Sequence, residues 1–172
     1  MRFSQLIDRH QVLGSGASLE DIPLDMFDTA PCADLRRRIS MTLARRWLCS
    51  IPDMVDTLPH ARIGYVARRC GDAISVSQGA KTVASYDLAF LYDQSPVVAK
   101  VKSLKLRGAL DDMPSQLQVA QDIYGLDVRL LIFAPMYGKW PHDVPERIHL
   151  CDLGYTGGEL QQMEQRILQQ RS

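Results

Sequence analysis

Residues 128–133, VRLLIF, are apolar at every position except Arg129 and follow closely on a helical repeat that ends at Gly125. A run this short and this apolar suits a strand buried on both faces. In the repeat before it, Leu110, Met113, Leu117, Ala120 and Tyr124 recur at helical spacing, with Pro114 acceptable only in an early turn. Earlier still, two strand-like runs, 82–92 and 97–106, flank the turn formers Asp93, Gln94, Ser95 and Pro96. The short turn makes these two runs antiparallel. A right-handed crossover through the helix then sets residues 128–133 parallel to 97–106. The sequence therefore predicts an α/β fold around a mixed sheet.

The elements on either side extend this frame. Leu35, Ile39, Leu43 and Trp47 form an apolar ridge at four-residue spacing, predicting a helix to about Cys49, with Thr29 as its cap and Pro31 in its early turn. Beyond a loop holding Pro52 and Pro59, residues 62–69 and 73–77 read as strands around Cys70, Gly71 and Asp72, and Gly79 and Ala80 lead into the third. Residues 147–151 form a short strand candidate, and residues 157–170 a terminal helix. The first thirty residues show no sustained period and read as an irregular arm packed by Leu24, Met26 and Phe27. A chain of 172 residues with 46% hydrophobic content can bury one core. The expected organisation is the arm, 1–30, and a single domain, 31–172, whose central sheet is flanked by helices.

Charge and composition exclude some functions. The longest apolar stretch, 128–136, falls well short of the roughly 20 residues a membrane helix needs. Asp8 and His10 stand where a secretory peptide would be apolar, so a cytoplasmic protein is expected, with Cys32, Cys49, Cys70 and Cys151 as free and mostly buried thiols. The formal net charge is zero, but arginines and lysines concentrate between residues 36 and 105. That asymmetry permits a basic face for phosphate, with Arg36, Arg37, Arg45, Arg68 and Lys105 as its expected contacts. It equally permits a solvated helix surface or an interface with a protein partner or a second copy.

The order helix, three-strand meander, helix, strand, together with SYDLAFLYDQSPVVAKVKSLKL, resembles the PD-(D/E)XK nucleases, with their restriction-endonuclease-like αβββαβ core. The resemblance covers about residues 35–136. It implies Asp87 as the first metal-binding acid and Lys102 as the catalytic lysine, with Mg²⁺ as cofactor if the site is active and DNA as the expected substrate. Strand side chains alternate, so Lys100 shares a face with Lys102 and occupies the position of the second acid. An ammonium there would repel a divalent ion, leaving a degenerate site. Asp111 or Asp112, at the start of the next helix, could supply a displaced metal ligand; each could equally favour the helix terminus as a first-turn carboxylate. Asp87 and Lys102 could instead form a structural pair.

Other motifs are weaker. Gln118, Gln121 and Tyr124 echo a helix element of RecB-type nucleases but fall one residue short. His142, His149 and Cys151 match no zinc spacing, and Gly14 to Gly16 lacks the lysine and helix of a phosphate loop. Trp140 reads more readily as a core plug than as a binding aromatic. Three functions follow as expectations: a nucleic-acid-binding or assembly component of a DNA-processing, defence or mobile-element system; an active Mg²⁺-dependent endonuclease; and a protein-binding scaffold.

Overall fold

The computed structural model describes residues 3, 5–7, 22–103, 111–135 and 143–171. Lys105, Trp140, His142 and the Gly14 to Gly16 segment lie outside the described residues. A mixed five-stranded sheet runs in the order β1 (Met54–Val55), β5 (Leu88–Tyr92), β6 (Ser95–Val101), β7 (Arg129–Ala134) and β8 (Ile148–Asp152). A three-stranded sheet is formed by β2 (Val66–Cys70), β3 (Ala73–Gln78) and β4 (Lys81–Tyr86). Among the described residues the long helices are α1 (Leu35–Ser50), α2 (Met113–Tyr124) and α3 (Gly157–Gln170).

The predicted centre of the fold is present. β5 and β6 pair antiparallel across a two-residue turn, Asp93 and Gln94, both left-handed with φ 46° and 66°. That is the conformation a right-twisted hairpin favours. α2 then carries the chain across to β7, which pairs parallel with β6 from Val97↔Arg129 to Val101↔Phe133. Gly125, with φ 99°, ends the helix where an L side chain would be strained. The β2–β3 hairpin turns at Gly71 and Asp72; only Gly71 is left-handed, with φ 60°, which suits glycine in the first central position.

Four expectations about local structure need correction. The strand predicted at 82–92 is two strands in two sheets, divided at Asp87. Tyr86 and Leu88, two residues apart, should share a face of a regular strand, yet they are buried in different clusters, so the chain turns between them. The first helix begins at Leu35, after a 3₁₀ turn at Cys32–Asp34, and Thr29 does not cap it. The strand predicted from residue 62 begins at Val66, because Arg62 to Tyr65 form a turn in which the Arg62 amide donates to the Ile123 carbonyl at 2.7 Å. Three of the four cysteines expected to be mostly buried, Cys32, Cys49 and Cys70, are exposed, because they lie at a 3₁₀ turn, a helix end and a hairpin end, and Cys151 in β8 is buried. In addition, β1 is too short to carry a period-2 signal and was not predicted.

The core sits on both faces of the larger sheet. On one face Leu35, Ile39 and Leu43 of α1 and Leu160 and Ile167 of α3 pack against Leu88, Phe90, Val97, Leu131 and Phe133. On the other, Ala120 and Ile123 of α2 and Ile74 and Val76 of the smaller sheet pack against Ala89, Val98, Leu130 and Ile132. Each fully buried Leu or Ile here contributes about 1.5–3 kcal/mol of transfer free energy. α3 starts on a reciprocal cap: Thr156 Oγ1 accepts from the Glu159 amide at 3.2 Å, and Glu159 Oε2 accepts from the Thr156 amide at 2.8 Å.

Candidate functional site

The break at Asp87 places a carboxylate at the C-terminal edge of β6. The Asp87 amide donates to the Ala99 carbonyl at 2.9 Å, holding the residue against the strand end. Asp87 Oδ2 accepts from the Val101 amide at 2.7 Å, and Asp87 Oδ1 accepts from Arg37 Nη2 at 2.7 Å. Arg37 lies in the first turn of α1. The expected structural pair of Asp87 with Lys102 is thus corrected: the partner is Arg37.

Lys100 is half-buried, its Nζ 6.0 Å from the centroid of the Tyr86 ring, within reach of a cation–π contact. Burial pushes its ammonium below the ordinary lysine range, Lys102 pushes the same way, and Asp87 partly opposes them. Lys102 follows β6 directly, its amide donating to the Phe133 carbonyl at 2.8 Å. Beneath Lys100, the Tyr86 and Tyr124 rings lie 6.4 Å apart. Burial raises both phenols, that of Tyr124 to about 12, and the Tyr124 phenol raises that of Tyr86 further. The Tyr124 hydroxyl is buried and has no hydrogen-bond partner among the described residues.

This edge therefore sets Arg37 and Lys100 near one carboxylate, with Lys102 near Lys100. The other acids expected to complete a metal site are placed differently. Asp111 and Asp112 are exposed in the turn before α2, where Asp112 is left-handed with φ 54° and makes no side-chain cap. Among the described residues no group of three or more His, Cys, Asp or Glu is arranged to hold a metal ion. With both oxygens of Asp87 engaged and cations beside it, the donor set does not fit Mg²⁺, which prefers several oxygen ligands.

The arginines of α1 are mostly paired within the chain. Arg36 bonds Glu164 of α3, Arg37 bonds Asp87, and Arg45 approaches Asp56 at 3.4 Å, with Arg69 on the same acid at 3.5 Å. Arg68 is exposed on β2. The roles of Asp56 and Glu164 were not legible, since each acts on residues distant in sequence or in another element. Also unforeseen is a buried cluster on β7 and β8. Arg129 Nη1 lies 3.3 Å from His149 Nε2, and its guanidinium carbon lies 4.4 Å from the Phe3 ring centroid. Phe3 meets Tyr92 and His149 edge-on. Burial, with Arg129 and Arg147 nearby, lowers the His149 pKa to about 4. The alternation of residues 147–151 was the available signal, as it sets His149 and Cys151 on one sheet face.

The class these features define is an α/β domain with a mixed sheet and a cationic strand edge. No family model matches the chain, and no curated protein matches it. Among solved structures, Can2 from Sulfobacillus thermosulfidooxidans, in complex with cyclic tetra-adenylate, is similar at 12% identity and TM-score 0.41, covering 82% of this chain and 34% of that one. Protein VC1899 from Vibrio cholerae is similar at 12% identity and TM-score 0.36, covering 77% of this chain and 32% of that one. The chain spans about a third of the length of either protein. With both scores under 0.5, nothing about site or ligand passes from them to this chain.

No described helix is long and apolar enough to cross a membrane.

Proposed function

We propose that this chain is a PD-(D/E)XK-like domain whose metal position has become cationic, and that it binds the phosphate backbone of DNA without cutting it. It would serve a DNA-processing, defence or mobile-element assembly. The observation that carries this reading is the double engagement of Asp87 by Arg37 and the Val101 amide, with Lys100 near it and Lys102 near Lys100. A carboxylate so held is a poor ligand for a divalent ion. The surplus positive charge at the strand edge instead attracts an anion, and ammonium groups contact phosphate without reading sequence.

Two measurements test the proposal. Purified protein with Mg²⁺ or Mn²⁺ and single-stranded, duplex or branched DNA should give no cleavage that depends on Asp87, with Asp87→Ala assayed beside it. Cleavage lost in that variant would replace the proposal with a metal-dependent endonuclease. DNA affinity should fall steeply with salt and fall again in the Lys100→Ala/Lys102→Ala variant, as counterion release requires. Absence of affinity at low salt would leave the scaffold function.

A further inference from the structure

A separate concavity of about 430 Å³ lies along the outer face of α1, between the 3₁₀ turn Leu24–Phe27 and the tip of the β2–β3 hairpin. It shares no residue with the Asp87 edge. Its size falls within the roughly 300–1,000 Å³ typical of small-molecule sites. Arg38, Arg45 and Arg46 line it, with Asp72 as its single acid. Among the described residues the guanidinium of Arg38 makes no ion pair, and that of Arg46 reaches only the Met26 thioether, at 3.7 Å. Arg45 is held by Asp56 at 3.4 Å. Two guanidinium groups thus keep donors that no strong acceptor among the described residues satisfies.

The rest of the lining is soft and apolar. Met26 and Met41 contribute thioether chains, and Met26 is 53% exposed while Met41 is buried. Planar rings pack well on such polarizable groups. The guanidinium fork matches phosphate oxygens in paired hydrogen bonds. Asp72 accepts from hydroxyl or amino groups.

We propose that this cleft binds a nucleoside phosphate: phosphate on Arg38 and Arg46, base against Met26 and Met41, and a hydroxyl or amino group toward Asp72. A simple anion would satisfy the arginines and leave the thioether surface bare. The same chemistry is offered by a free nucleotide and by a nucleotide unit of a single strand. The assignment is independent of the sheet-edge function.

Calorimetric titration of the full chain with AMP, UMP, a short single-stranded oligonucleotide and inorganic phosphate tests it. A nucleotide or the strand should bind saturably, and whichever is tighter identifies the source. Inorganic phosphate should bind at least about tenfold more weakly, and the Arg38→Ala/Arg46→Ala variant should lose about tenfold or more, as expected for removed charge-assisted hydrogen bonds. Met26→Ala should weaken nucleotide but not phosphate. All three substituted side chains lie at the surface, and circular dichroism checks that the variants fold. No saturable binding, equal affinity for phosphate and nucleotide, or affinity unchanged in the double arginine variant would overturn the proposal. Strand binding lost only in Lys100→Ala/Lys102→Ala would also overturn it while leaving the sheet-edge site standing.

Discussion

Arg37 and Asp87 stand 50 residues apart in the chain and meet in a hydrogen bond of 2.7 Å that joins the first turn of α1 to the edge of β6. The remaining carboxylate oxygen receives the Val101 amide. Asp87 is thereby a structural joint between helix and strand, at the position where the resemblance to PD-(D/E)XK nucleases sets a metal ligand.

Asp87→Ala should destabilise the fold by about 1–3 kcal/mol, because it strands the Val101 amide as well as Arg37. Arg37→Ala removes only the more exposed partner and should cost below about 1 kcal/mol. Urea denaturation of both variants checks the order; an equal or reversed cost would show that the backbone hydrogen bond contributes little.

Metal affinity should be recoverable by charge reversal. Wild-type protein should take up no Mn²⁺ at this edge. Lys100→Glu combined with Arg37→Ala removes two cations, supplies a second carboxylate and frees an oxygen of Asp87, so it should gain Mn²⁺ binding by calorimetry.

His149 should make the protein acid-sensitive. Its folded pKa, about 4, lies below the ordinary value of 6.5. Between those values the unfolded chain binds a proton that the native state does not. Stability is therefore full above the unfolded pKa and falls as pH drops toward 4, by on the order of 2–3 kcal/mol from this residue. Arg129 and Arg147 supply the repulsion, added to burial. In denaturation midpoints measured from pH 7 to pH 4, His149→Gln should lose less stability with acid than wild type.

Tyr124→Phe should leave stability unchanged or raise it by up to about 1 kcal/mol, since the hydroxyl removed is buried without a partner. Thermal unfolding reads this directly. A marked drop in Tm would reveal a hydrogen bond to a residue outside the described set or to water.

At the β5–β6 turn, Gln94 adopts φ 66°, a left-handed conformation that favours glycine. Gln94→Gly should stabilise the hairpin by up to about 1 kcal/mol. An unchanged or lowered denaturation midpoint would show that the backbone freedom glycine adds to the unfolded chain offsets the relief.

The sequence by itself determined α1 from Leu35 onward, the β5–β6 hairpin, α2, its stop at Gly125 and the parallel strand β7. All are written in local periods: Leu35, Ile39 and Leu43 repeat on one helical face, and residues 128–133 are apolar enough to be buried on both faces of a sheet. It also set Lys100 and Lys102 two residues apart at the end of β6, where Lys102 lies near enough to lower the pKa of Lys100. Tertiary structure alone decided that residues 82–92 divide between two sheets at Asp87, because nothing local distinguishes a long strand from two short ones separated by a turn. It decided, too, which cation Asp87 meets. Sequence spacing offered Lys102; the docking of α1 against the sheet delivered Arg37. A carboxylate's partner is set by where a helix comes to rest, and that depends on the packing of Ile39 and Leu43 against Phe90 and Phe133 rather than on any residue near position 87.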